Sequence, residues 1–210
     1  SDVERPEEMP AVERIEAAGG SVRLEMPLDS LAVEDGTIVG VEATGPDGKR
    51  VTIDADAVVV ATGGFQGNEQ LVEQHVTDAT ENLYLRSNPW STGDGLLAAT
   101  EVGGKTTAGL GTFYGHTMAA PPADISPDRF ADATQYYGFA AVALDRTGER
   151  FTDESESALE ETPTQDIATE TDGRAYHVFD EPIADRVFGS KTAHEIFETA
   201  GASAGRTAPG

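Results

Sequence analysis

Apolar residues recur at helical spacing in AVERIEAAGG, residues 11–20, and the closing double glycine suits a left-handed C-terminal cap. The next stretch, SVRLEMPLDSLAVED from Ser21, alternates apolar and polar positions at strand period. EDGTIVGVEATGPDGKRVTIDAD predicts a hairpin, with strands at about 37–43 and 50–54 and Pro46-Asp47-Gly48 as its turn. DAVVVAT, residues 56–62, is apolar on both faces, as a strand buried inside a sheet should be. Beyond Gly64 the period changes. NEQLVEQHV is helical in pattern with Asn68 placed to cap it, and STGDGLLAATEVGG runs from a glycine-rich turn into a helix ended by Gly103-Gly104.

The second half is more broken. GLGTFYGHTMAAPPADISPD is loop-rich, and GFAAVALDRTGERFTDE predicts a hairpin around Arg146-Thr147-Gly148. SESALEETPTQDIATETDG is acidic and polar, with helical pieces at best. RAYHVFDE reads as a buried strand, PIADRVF as a helix begun at its proline, TAHEIFETAG as another helix, and GASAGRTAPG as a frayed tail. No internal repeat is visible.

Composition changes the picture through charge. Asp and Glu number 38 against 14 Lys and Arg, a formal net charge of −24, and only Lys49, Lys105 and Lys191 are lysines. Such a chain repels phosphate backbones, which argues against nucleic acid as a partner. The periodic apolar segments argue against disorder. Molar salt, in which the screening length shrinks to about 3 Å, is the setting that makes this density of carboxylates tolerable. A high-salt cytoplasm is therefore the expected location. No apolar stretch approaches the roughly 20 residues of a membrane span. The absence of cysteine excludes disulfides and metal–thiolate sites formed by this chain. His75, His116, His177 and His194 are scattered without metal-ligand spacing, so no metal site is expected, and His75, His177 and His194 are expected at the surface or satisfied.

A dinucleotide site commonly announces itself by G-x-G-x-x-G between strand and helix, and this chain has none. Its nearest lookalike, Gly109 to Gly115, lacks a preceding buried strand and carries the third glycine one position late. Ala61-Thr62-Gly63-Gly64 is different, because the valine run precedes it. Glycines there let backbone amides approach a flat or anionic ligand. Thr92-Gly93-Asp94 repeats the design, with freed backbone and a carboxylate in the first turn of a helix, where it is favoured in any case. Each motif alone reads equally as an ordinary turn.

Together, the order AVVVATGGFQGNEQL, NPWSTGDGLLAATEVGGK, GERFTDE and AYHVFDE resembles the flavoprotein family of fumarate reductase and succinate dehydrogenase flavoprotein subunits. Its soluble branch of flavocytochrome fumarate reductases, tricarballylate dehydrogenase and 3-ketosteroid dehydrogenases is nearest, and the resemblance runs from about residue 15 to residue 190. It implies an α+β or α/β fold: the β-meander and strand–helix part of a Rossmann-like FAD domain in residues 1–104, and the start of an α+β capping or substrate domain in residues 105–210. It implies FAD as cofactor, with Ala61, Thr62, Gly63, Gly64, Thr92, Gly93 and Asp94 as contacts. The implied reaction moves a hydride between flavin and a carbon–carbon bond beside a carboxylate or carbonyl of a small-molecule substrate, with a redox partner subunit as a further expectation. The family's glycine fingerprint lies N-terminal to such a segment and half its active site C-terminal, so the chain reads as an internal piece, inactive by itself.

The catalytic correspondence is thinner. The family's His-Pro-Thr matches FYGHTM, which makes His116 the substrate-binding candidate, without the proline. Arg150-Phe151 and Glu154 match a motif whose proton-donating arginine would fall on Ala158, next to Leu159, and two further proton-path positions fall near Thr134 and Tyr137. Alanine cannot donate a proton, which leaves Tyr136 and Tyr137 as candidates or as core aromatics. Two rival readings are a truncated, catalytically inactive α/β module and an acidic binding module without flavin.

Overall fold

The alternation in residues 28–54 builds a three-stranded antiparallel sheet, β1 Leu28–Glu34, β2 Thr37–Thr44 and β3 Arg50–Asp54, in sequence order. This computed structural model describes residues 10–121, 123–155 and 161–200. The chain divides into two units, one of residues 1–62 and 94–105, the other of residues 63–93 and 106–210.

The first unit holds the sheet and two helices, α1 Ala11–Ala17 and α3 Asp94–Glu101. Asp35 and Gly36 connect β1 to β2 with φ of 48° and 78°, the conformation that an Asp-Gly pair supplies to a tight hairpin. The β2–β3 turn closes where predicted, with Gly45 N–H donating to Lys49 O at 2.8 Å. Leu31, Gly40 and Ala43 are the sheet's buried residues, and α3 lies against β1. α1 ends at Gly19 and Gly20 as its sequence predicts, Gly20 N–H reaching back to Ile15 O at 2.9 Å. Gly103 and Gly104 close α3 in the same way. The valine run departs from its prediction. Residues 56–62 form no strand, and Val59 is 89% exposed. Apolar composition marks a segment as fit for burial, but a strand needs a ladder partner, and among the described residues none runs beside it.

In the second unit, α2 Glu69–His75 starts at Asn68, whose side chain accepts from Leu71 N–H at 3.2 Å. Phe130–Ala133 forms α4 inside the loop-rich stretch, and α5, Glu161–Glu170, is a ten-residue helix in the acidic one. β4 Val142–Leu144 turns at Asp145–Gly148, but its ladder partner is β5 Tyr176–Val178, with Leu144 bridging back to Arg150. β5 is not the buried strand its sequence predicts, since Tyr176 is 63% and Val178 48% exposed. α6 Glu181–Ala184 is capped by Asp180, with Pro182 in its first turn. The short pair β6 Val187–Phe188 and β7 Lys191–Thr192 leads into α7, Ala193–Thr199, through a Thr192–Glu195 capping box.

Two apolar clusters hold this unit. One gathers Ile125, Phe130 and alanines 119, 123, 133 and 200; the other packs Phe179, Phe188, Ile196 and Phe197 around Tyr137, which is 1% exposed. None of the described helices is long and apolar enough to cross a membrane.

Candidate functional site

In the second unit the two glycine corners meet. Gly93 N–H donates to Gly64 O at 3.1 Å, Gly67 N–H donates to Ser91 O at 2.9 Å, and the Asn68 amide donates to Thr92 O at 3.0 Å. Asn68 thus caps α2 and ties that helix to the second corner. Gly63 has φ of +83°, and a Cβ there would stand 3.0 Å from Ser91 Oγ. At Gly93, with φ of +87°, a Cβ would fall 2.6 Å from Leu71 Cδ1 and 3.0 Å from Phe65 Cβ. In the first unit, a Cβ on Gly95 would overlap the side chains of Val60 and Thr62.

Exposure separates the two sides of these contacts. Ala61, Thr62, Gly63 and Gly64 are all exposed, whereas Ser91, Gly93 and Gly95 are buried. The buried glycines make room for neighbouring side chains, Leu71 and Phe65 at Gly93 and Val60 and Thr62 at Gly95, and the exposed residues form a ledge with little side-chain bulk. A flat, polar-edged group requires such a surface, because amides can be approached directly only where no Cβ intervenes. The residues present fit a flavin.

The second unit also holds an open cleft of about 2000 Å³. Gly64, Arg86, His116, Thr117, Tyr137 and His177 are among the residues that line it. His116 sits between two tyrosine rings met edge-on, Tyr114 at 4.9 Å (82°) and Tyr136 at 5.4 Å (70°). Its segment is pinned by Gln135 N–H, which donates to Thr117 O at 3.0 Å. Tyr137 is packed in the aromatic cluster, and burial pushes its hydroxyl above the ordinary phenolic range, so it holds its proton more tightly. Thr134 is fully buried, its hydroxyl donating to Phe130 O at 2.8 Å.

Glu154 is 4% exposed and receives Ala143 N–H at 2.5 Å and the Arg150 guanidinium at 2.5 and 3.0 Å. Burial alone would raise its carboxyl, but these hydrogen bonds prevail and hold it below the usual carboxylate range. The pair therefore anchors β4. Ala158 and Leu159 lie outside the described residues.

His177 departs from its expectation. Both ring nitrogens are buried, and neither has a hydrogen-bond partner among the described residues. Its ring stands edge-on to Tyr137 at 6.0 Å, and burial lowers its pKa from 6.5 to about 4, against a smaller opposing effect of Glu154. It is neutral at pH 7. His194 is 3.6 Å from Glu181 and 3.7 Å from Asp185, an exposed cluster that its sequence spacing does not reveal.

Comparison with known proteins decides the family. A model of the FAD binding domain matches residues 9–196. The chain belongs to the FAD binding domain family. Its cofactor is FAD, and the curated proteins it resembles include an acrylate oxidoreductase and a fumarate reductase. It is 26% identical over 193 residues to NADH:acrylate oxidoreductase of Vibrio harveyi, across 88% of this chain and 18% of that one. It is 25% identical over 156 residues to the cytochrome-type fumarate reductase of Shewanella frigidimarina, across 74% of this chain and 26% of that one. Its fold is similar to that of 3-ketosteroid Δ1-dehydrogenase from Sterolibacterium denitrificans, with a TM-score of 0.59 at 20% identity, covering 82% of this chain and 31% of that structure. The chain thus spans about a quarter or less of the two curated relatives' length.

Proposed function

We propose that this FAD binding domain chain is a segment of a longer oxidoreductase that moves a hydride between its flavin and a carbon–carbon bond beside a carboxylate or carbonyl. The observation that carries the reading is the pair of glycine corners joined by the Gly93–Gly64 hydrogen bond. Ala61, Thr62, Gly63 and Gly64 hold the flavin from one corner, and Thr92, Gly93 and Asp94 from the other. FAD, when bound, supplies the hydride chemistry, and the protein supplies position and charge.

Residues 1–104 act as part of the FAD domain and residues 105–210 as part of a capping, substrate-binding domain. His116, held between Tyr114 and Tyr136 at the cleft, binds an oxygen of the substrate. The relatives' names support the substrate class: acrylate and fumarate are unsaturated carboxylates, and a 3-ketosteroid carries a carbonyl. The charge of −24 supports a cytoplasm of molar salt.

The experiment is reoxidation of the chemically reduced holoprotein, without oxygen, by acrylate, fumarate or a cyclic enone. At least one should return the oxidised flavin spectrum. His116→Gln should raise the half-saturating concentration of that substrate by about 10-fold, the loss of one charge-assisted hydrogen bond, with FAD content unchanged. Failure of every unsaturated carboxylate and enone to reoxidise the protein would contradict the reading.

A further inference from the structure

Arg86 lines the cleft in the second unit, on the segment between α2 and α3. Lys49, Arg50, Arg146, Arg150 and Lys191 each sit beside a carboxylate. Arg86 has no carboxylate partner among the described residues. Among the described residues its one hydrogen bond runs from Nη1 to Thr134 Oγ1 at 3.0 Å. Thr134 gives its own proton to Phe130 O, so its hydroxyl can only accept from the guanidinium. A fully buried threonine thus holds one nitrogen of an exposed arginine at the cleft lining, and the other donors of that guanidinium have no partner among the described residues.

The segment that anchors Arg86 also positions His116. Thr134 binds Arg86, Gln135 N–H binds Thr117 O, and the Tyr136 ring meets His116, on three consecutive residues. Met118 Sδ lies 3.9 Å from Thr134 Oγ1, which brings the His116–Met118 segment against the same point. The cleft's other arginine, Arg174, is engaged by Asn82 Oδ1 at 2.8 Å, while Glu69, Glu81, Asp180 and Glu181 line the same cleft. Carboxylates there repel an anion unless a positioned cation offsets them.

We infer that Arg86 is the specificity-determining residue that receives a carboxylate of the substrate, beside His116. This rests on the reading of the cleft as the substrate's side and narrows it to carboxylates over neutral ketones. A planar guanidinium with open donors matches a carboxylate in a fork, whereas a ketone oxygen offers less charge and a single point of contact.

The test is calorimetric titration of the protein with succinate and with its neutral diamide, together with the same titrations of Arg86→Gln and Arg86→Lys. Succinate should bind and the diamide should bind at least about 10-fold more weakly. Arg86→Gln should lose about 10-fold or more in succinate affinity, and Arg86→Lys should recover part of it. Thermal unfolding of both variants checks that the fold is retained. Equal binding of succinate and the diamide, no succinate binding by the wild-type protein, or unchanged succinate affinity in a folded Arg86→Gln would each overturn the assignment. FAD content is read separately: succinate selectivity without flavin would leave this inference standing while the oxidoreductase reading fails.

Discussion

His177 offers a stability prediction whose size follows from its surroundings. Its two ring nitrogens are buried and without a partner among the described residues, and its pKa falls from 6.5 to about 4. The unfolded chain takes up a proton as pH drops through 6.5, and the folded chain resists until about 4. Within that window the unfolded state binds more protons, so stability falls as pH falls; the penalty is absent above 6.5 and levels off below about 4. The gap corresponds to about 3 kcal/mol. His177→Leu removes the titrating group and keeps an apolar side chain of similar reach. Urea unfolding at fixed molar salt, repeated from pH 7 to pH 4, measures both proteins. The variant should be at least as stable as wild type at pH 7, since the two orphaned nitrogens are gone. Its advantage should grow by about 3 kcal/mol by pH 4. Parallel stability curves would show that His177 titrates as freely folded as unfolded, and would refute the argument from its burial.

Two further outcomes follow from the corners and the charge. Gly93→Ala places a Cβ 2.6 Å from Leu71 Cδ1 at φ of +87°, so urea unfolding should show a loss of about 2–3 kcal/mol, and unchanged stability would contradict the tight packing of that corner. With a net charge of −24, moving from molar to about 0.1 M salt lengthens screening from about 3 to 10 Å and should lower Tm by roughly 10 °C; a Tm indifferent to salt would contradict the high-salt reading.

What the sequence reveals of this fold is largely what is local. The Asn68 cap, the glycine ends of α1 and α3 and the turn at Pro46-Asp47-Gly48 rest on hydrogen bonds within a few residues, and each forms where its residues predict. Val58–Val60 and β5 depart from their predicted burial because burial of a strand depends on what packs against it, which no window of sequence contains. The same applies to side chains at the cleft. His116 is a candidate through resemblance alone, and its flanking tyrosines lie 2 and 20 positions away. His177 and Arg86 left no local signal: one owes its chemistry to burial beneath Tyr137's neighbourhood, the other to a hydroxyl 48 residues distant. The two glycine motifs are weak apart, and their meaning lies in meeting, with 27 residues of chain between Gly64 and Thr92 folding back to join them.

The central claim is that these corners hold FAD, and flavin stoichiometry of the purified holoprotein with Gly63→Val tests it most directly. A valine at φ of +83° places a branched side chain on the exposed ledge, 3.0 Å from Ser91 Oγ at its Cβ. The account predicts one FAD per wild-type chain and loss of most of it from a variant that still unfolds cooperatively. Full flavin occupancy in that folded variant would contradict it.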